Sequence, residues 1–196
     1  RDINGIMPIL KMHISPNIEL VIGSGCIYLD IPNTKREKVL VKPLLKKCGK
    51  YEFPVGIDKK GEYIIDSLVN MKSMLVFGTQ GSGKTTFLKA ILSGMGALVS
   101  YEELRYYLID IKGELTLFDK LPHVEFSTNK HKVAVQLLRD LVQEMDKRYE
   151  LMGKSGTYNI DDYNKKQNDN MPRIVIVIDE YPSLMRNTDE IKEIED

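Results

Sequence analysis

The pattern of hydrophobic and polar positions changes texture near residue 70. Before it, short β-like segments, Ile9–Ile14, Ile18–Ile22 and Cys26–Ile31, are punctuated by Ser15-Pro16-Asn17 and Gly23-Ser24-Gly25. After it, brief continuous apolar runs alternate with helical periodicity. Met74–Phe77, Tyr106–Ile111 and Ile174–Ile178 are the strand candidates. Strands buried on both faces lose their period-two alternation, so these runs predict a parallel sheet covered by helices. The clearest helix spans about Lys130 to Met152, where Val133, Leu137, Leu141, Met145 and Tyr149 recur every four residues and Leu138 and Val142 widen the stripe. Gly153 is the expected residue just past its end. A second, buried helix covers Thr86–Met95, and Ser100 with Glu103 has the spacing of a capping box before the Tyr106 strand. Lys154–Asn170, polar and poor in large apolar residues, reads as a surface excursion. The predicted class is α/β, with residues 1–70 a small β-rich (α+β) module and 71–196 the core.

Composition narrows the function classes. Lys+Arg 28 equals Asp+Glu 28, so no global charge calls for nucleic acid or an anionic membrane, and any DNA contact must be local. The basic stretch Lys35–Lys50 (Lys35, Arg36, Lys38, Lys42, Lys46, Lys47, Lys50) is read first as a solvated loop or helix face, with phosphate or DNA contact as the alternative. The longest apolar runs, such as Ile174–Ile178, are about a quarter of the roughly 20 residues that cross a bilayer. Cys26 and Cys48 match no metal or redox spacing and imply free thiols in a reducing compartment. His13, His123 and His131 have no metal spacing among them and read as structural. Arg1 opens the chain with neither initiator Met nor signal peptide, and Asp196 closes it inside a charged stretch, the pattern expected of a piece of something longer.

One motif carries direct chemistry. Gly78-Thr79-Gln80-Gly81-Ser82-Gly83-Lys84-Thr85 matches G-x-x-x-x-G-K-[ST] without departure. Backbone N–H groups must converge on the β- and γ-phosphates, and glycines permit both the close approach and the positive φ angles this needs. Lys84 then reaches the transferred phosphoryl, Thr85 offers its hydroxyl to Mg²⁺, and the helix starting there, through Thr86, aims its positive end at the same anions. Chance supplies on the order of one such match per hundred chains of this length. The strand before it and the buried helix after it make ATP the expected ligand.

The second motif is Arg173-Ile174-Val175-Ile176-Val177-Ile178-Asp179-Glu180, five β-formers running into two carboxylates. A carboxylate at the carboxyl end of a buried parallel strand lies where ligands of open α/β sheets bind. Asp179 is the candidate for Mg²⁺ and Glu180 for the general base that polarises the attacking water. Asp110, Lys112 and Glu114 follow another core strand toward the same edge, and both loop hydrogen bonding and nucleotide or interface sensing remain open for them. Arg148 has a plain role available as an i,i+4 partner of Glu144.

The separation of Lys84 from Asp179 suits a RecA-like core, and the order of motifs resembles the motor domain of the FtsK/SpoIIIE DNA translocases. Tyr28-Leu29-Asp30-Ile31-Pro32-Asn33 with Lys35-Arg36 is similar to that family's G-I-E-I-P-N-x-x-R segment, and Gly56-Ile57-Asp58 with Gly61 to its G-x-D-x-x-G turn. Ile109-Asp110-Ile111-Lys112-Gly113-Glu114-Leu115 resembles I-D-P-K-G-x-E-L, and Leu121-Pro122-His123 resembles I-P-H. Glu144-Met145, Arg148-Tyr149, Met152, Gly156, Asn159-Ile160 and Tyr163-Asn164 match E-M-x-x-R-Y-x-x-M, G-x-x-N-I and Y-N. Lys72-Ser73 in place of Pro-His, Ile111 in place of Pro, and Tyr181-Pro182-Ser183 after the two carboxylates depart from the family pattern and point toward mobile-element relatives such as conjugative coupling proteins.

The resemblance implies a RecA-like P-loop ATPase core that hydrolyses ATP with Mg²⁺ and moves double-stranded DNA as a homo-oligomeric, hexameric ring. It also implies a cytoplasmic domain whose longer protein is anchored at the membrane. Sensor residues, an arginine finger and DNA-contact loops are expected beyond Asp196, so the chain alone is expected to bind nucleotide without translocating. Two other readings stand beside this one: a secretion-type motor that moves protein, and a nucleotide-gated assembly module that binds without hydrolysing.

Overall fold

A computed structural model describes residues 3–22, 25–32 and 38–185, and the chain divides into two compact units, Arg1–Val39 and Leu40–Asp196. In the first, helix α1 (Ile3–His13) precedes an antiparallel hairpin of β1 (Glu19–Ile22) and β2 (Ile27–Asp30), with Glu19 opposite Asp30 and Ile22 opposite Ile27. The expected strand at Ile9–Ile14 is therefore helical. A short segment such as Ile9-Leu10-Lys11-Met12-His13-Ile14 satisfies either period, and here Met7 and Leu10, three apart, are less exposed than their neighbours. Asn33, Lys35 and Arg36 lie outside the described residues.

The second unit opens with α2 (Val41–Leu45) and the antiparallel hairpin β3 (Glu52–Ile57) and β4 (Tyr63–Ser67). Its turn is the Gly56-Ile57-Asp58 segment: Asp58 accepts hydrogen bonds from the backbone N–H groups of Lys60 and Glu62, both at 2.8 Å. The basic stretch here is a solvated surface, with Lys50 paired to Glu103 at 2.5 Å and Lys47 lying over the Tyr63 ring. A turn of helix, α3 (Leu68–Met71), leads to residues 72–83. Met74–Phe77, expected as a strand, pairs with no strand among the described residues. Met74 packs against the core, while Leu75 and Phe77 are 70% and 83% exposed. An apolar run becomes a strand only where a neighbour completes its ladder, and β-propensity alone does not supply one.

Helix α4 (Lys84–Leu98) follows, then β5 (Leu104–Asp110), a 3₁₀ turn (Thr116–Lys120), β6 (Val124–Thr128), α5 (His131–Ser155), α6 (Ile160–Gln167), β7 (Arg173–Asp179) and α7 (Tyr181–Leu184). The sheet is parallel in the order β6-β5-β7. Both faces are covered. Ile91, Leu92 and Met95 of α4 pack with Phe53 against Tyr106, Leu108 and Val177, while Ala134 and Leu137 of α5 pack with Leu184 against Ile109. This is the doubly covered α/β class read from the apolar runs.

α5 runs through Gly153 to Ser155 and stops at Gly156, whose φ of 66° is the left-handed position that Gly153 was expected to fill. The supposed excursion after it holds α6, started by Asn159, whose side chain accepts the Asp162 N–H at 2.8 Å. Ser100 and Glu103 close a turn rather than a helix. Arg148 pairs with Glu144 at 2.7 Å as expected, and also donates to the Pro172 carbonyl at 2.6 Å, tying α5 to the start of β7.

Tyr106 sits at the centre of the core, fully buried, its hydroxyl donating to the Leu92 carbonyl at 3.1 Å and its ring stacked 5.5 Å from that of His123. Burial pushes its phenol pKa well up, so the hydroxyl remains a donor. His123 in turn bonds the Val99 carbonyl at 2.8 Å, a structural role. Because α4 holds the sheet through Leu92, Leu92→Ala is expected to lower unfolding stability by about 3 kcal/mol in chemical denaturation. A loss below about 1 kcal/mol would contradict this packing.

Candidate active site

The strand pairing sets the site. Asp110 at the end of β5 stands directly opposite Asp179 at the end of β7, so the two carboxylates share one edge of the sheet. The link from α4 to β5 is short, so α4 runs back along β5. Its 15 residues span about 22 Å and the strand's 7 about 23 Å, which brings the beginning of α4 level with the carboxyl end of β5. That sets the start of α4, and the glycine loop that caps it, toward the end of the sheet where the strand-end carboxylates stand.

Within the loop, Gly83 caps α4 with φ 98°, a conformation a side chain would strain. Gly78 is needed for space: a Cβ there would fall 2.3 Å from the Ser82 hydroxyl. Gly81 also has positive φ, at 76°. Lys84 folds back so that its ammonium donates to the carbonyls of Gly78 and Thr79, at 2.9 and 3.1 Å. The ammonium is thus held inside the loop while Thr79, Gln80, Gly81 and Ser82 are exposed. Thr85 is half-buried in the first turn of α4, and Thr86 is exposed.

At the strand ends, Asp110 and Asp179 are both buried but differ in their partners. Asp110 accepts from the backbone N–H groups of Glu114 and Leu115, at 3.0 and 2.6 Å, and fixes the loop after β5, which turns at Gly113 with φ 76°. Loop hydrogen bonding is its role here. Asp179 Oδ2 is buried with no hydrogen-bond partner among the described residues. Burial, and then the carboxylates of Glu114, Asp110 and Glu180, push the Asp179 pKa above the usual range. Such a site gains from a cation. Among the described residues no group of three or more His, Cys, Asp or Glu side chains is arranged to hold a metal.

Glu180 follows in left-handed backbone, φ 61°, and caps α7. Its carboxylate pairs with Lys112 across the β5–β7 edge at 2.6 Å. Sequence reasoning grouped Lys112 with Asp110 and Glu114 but missed this pairing. The signal was available only in the register, which sets residues just past Asp110 beside those just past Asp179.

The fold and this arrangement define a P-loop nucleotide-binding domain of the α/β class. The FtsK/SpoIIIE family model matches residues 36–193, and the chain belongs to that family. A DNA translocase FtsK of Staphylococcus epidermidis is 36% identical over 180 residues, covering 83% of this chain and 22% of that protein. The pCW3 conjugation coupling protein TcpA, in its monomer form with ATPgS, superposes with a TM-score of 0.70 at 27% identity, over 98% of this chain and 57% of that one. The cytoplasmic domain of the Thermomonospora curvata type VII secretion ATPase EccC shares the fold, with a TM-score of 0.63 at 24% identity over 74% of this chain and 19% of that one. The chain spans about a fifth of the length of the curated relatives it matches, 22% in the first case. Among the described residues no helix is long and apolar enough to cross a membrane.

The strain on Asp179 gives a stability test in protein free of nucleotide and metal. With its pKa raised by folding, Asp179 weighs increasingly against the folded state as pH rises from the ordinary carboxylate range to that raised value. Only below the ordinary range, where it is protonated folded or unfolded, does it cost nothing. Asp179→Asn should therefore melt at a higher temperature than the parent at pH 7–8, with the gap closing on acidification. An Asn variant less stable than the parent at every pH would contradict this reading.

Proposed function

We propose that this chain is the nucleotide-binding part of an ATP-driven motor that moves double-stranded DNA, working as a homo-oligomeric ring, with a hexamer as the expected state. What supports it is the 78–85 loop at the start of α4 and the Asp179-Glu180 pair at the end of β7, both set toward one end of the sheet in a chain of this family. Residues 71–196 carry the nucleotide chemistry, and residues 1–70 a smaller module before it.

The residues divide the work as follows. The backbone N–H groups of Gly78 to Gly83 cradle the β- and γ-phosphates, and Lys84 leaves its loop carbonyls to meet the γ-phosphate. Thr85 and Asp179 would hold Mg²⁺, whose contribution is to neutralise charge on the phosphate oxygens. Glu180 orients the attacking water and takes its proton. The arginine finger of a neighbouring copy and the sensor residues are expected outside this chain. The protein is expected to act in the cytoplasm, tied to the membrane by segments outside this chain.

Within this reading, a conjugative coupling role is favoured over chromosome handling by the TcpA superposition, which extends over 98% of the chain, and by the residues at 72–73, 111 and 181–183 that depart from the chromosome-translocase pattern. A protein-secreting motor and a non-hydrolysing module are the competing readings.

Two substitutions in the full-length protein test the assignment. Lys84→Ala should weaken ATP binding about tenfold to a hundredfold, the worth of a charge-assisted contact. Glu180→Gln should bind ATP as the parent does but turn it over about 10² to 10⁴ times more slowly. Turnover stimulated by double-stranded DNA supports the motor reading. Stimulation by a peptide substrate instead, or no turnover at all in the intact protein, would replace it.

A further inference from the structure

Lys112 is left unexplained by the roles above. It lies on the loop that Asp110 clamps through the Glu114 and Leu115 amides, so its backbone is fixed although its side chain is 46% exposed. That loop carries the Lys112 ammonium to 2.6 Å from Oε1 of Glu180, whose own side chain is 29% exposed. Among the described residues, the charged groups that act on Lys112 are acidic: Glu180, Glu114 and Asp179. Glu180 occupies left-handed backbone, φ 61°, a strained conformation for a residue other than glycine.

A carboxylate that is to orient the attacking water and take its proton must face that water, and one tied to an ammonium at hydrogen-bond distance faces the ammonium instead. We infer that Lys112 is a positioning residue that parks Glu180: the Lys112–Glu180 pair, held by the Asp110-clamped loop, keeps the base disarmed until the pair opens. The inference rests on the reading of Glu180 as the general base. Its substrate is the same ATP, and what it adds is a restraint on turnover built from two neighbouring strand ends. An exposed ion pair is worth little, so the restraint is slight and easily reversed. That suits a device that a neighbouring copy or bound DNA can release by offering the ammonium or the carboxylate another partner.

The test uses the full-length, assembled protein. Lys112→Met, which keeps the aliphatic stem and removes the charge, should raise ATP turnover without DNA about two- to fivefold, the factor an exposed pair corresponds to, with KM within about twofold. Stimulation by DNA should shrink by the same factor, and Lys112→Arg should restore the low basal rate. Independently of activity, acylation of the Lys112 amine, followed by mass spectrometry without nucleotide, should be faster in Glu180→Gln than in the parent. Basal turnover in Lys112→Met at or below the parent, or equal acylation rates, would overturn the parking. Full turnover in Glu180→Gln would remove the general-base assignment and the parking with it. Loss of turnover there without a rise in Lys112→Met would leave the base assigned and overturn the parking alone.

Discussion

The parallel pairing of β5 with β7, from Leu104 opposite Arg173 to Asp110 opposite Asp179, is the constraint on which the rest of the molecule depends. Parallel strands end together, so whatever follows them is delivered to one edge. One end becomes a structural clamp, Asp110, whose two oxygens are spent on the backbone of its own loop. The other becomes Asp179, equally buried but with an oxygen that has no hydrogen-bond partner among the described residues. Two identical side chains in register thus take different roles because only one is followed by a turn that can use it.

The same pairing explains why the site holds tension before any ligand arrives. Three carboxylates crowd Asp179, and Lys112, which feels Asp179 too, is paired with Glu180. On the other side, Lys84 is bound to carbonyls of its own loop. Both ammonium groups therefore have partners within the protein. A phosphate offers Lys84 a charged acceptor in place of two neutral ones, and a cation offers Asp179 relief from its neighbours.

Much of this was legible in the sequence, and the failures have physical causes. Ile174–Ile178 and Tyr106–Ile111 were readable as strands because burial on both faces leaves an unbroken apolar run. The long helix was readable because its stripe repeats over many turns. β6 escaped notice because Glu125, Ser127 and Thr128 interrupt it, as an edge strand allows. The α6 helix was hidden by its polar composition, since its start is fixed by one Asn159 cap rather than by an apolar face. Met74–Phe77 erred the other way, its residues apt for a strand that finds no ladder partner among the described residues. At the site, the loop motif and Asp179-Glu180 were legible as local patterns. The Lys112–Glu180 pair was not, because it joins residues far apart in sequence through strand register alone.

The central claim is that the glycine loop and the β7 carboxylates hold one ligand between them. A double-mutant cycle on Mg·ATP affinity with Thr85→Val and Asp179→Asn measures this directly, since the two side chains come from opposite sides of the site. A shared ligand predicts that the second substitution costs much less once the first is made, with a coupling of about 1 kcal/mol or more. Costs that add within about 0.5 kcal/mol would mean that the two residues serve separate sites, and would contradict the account.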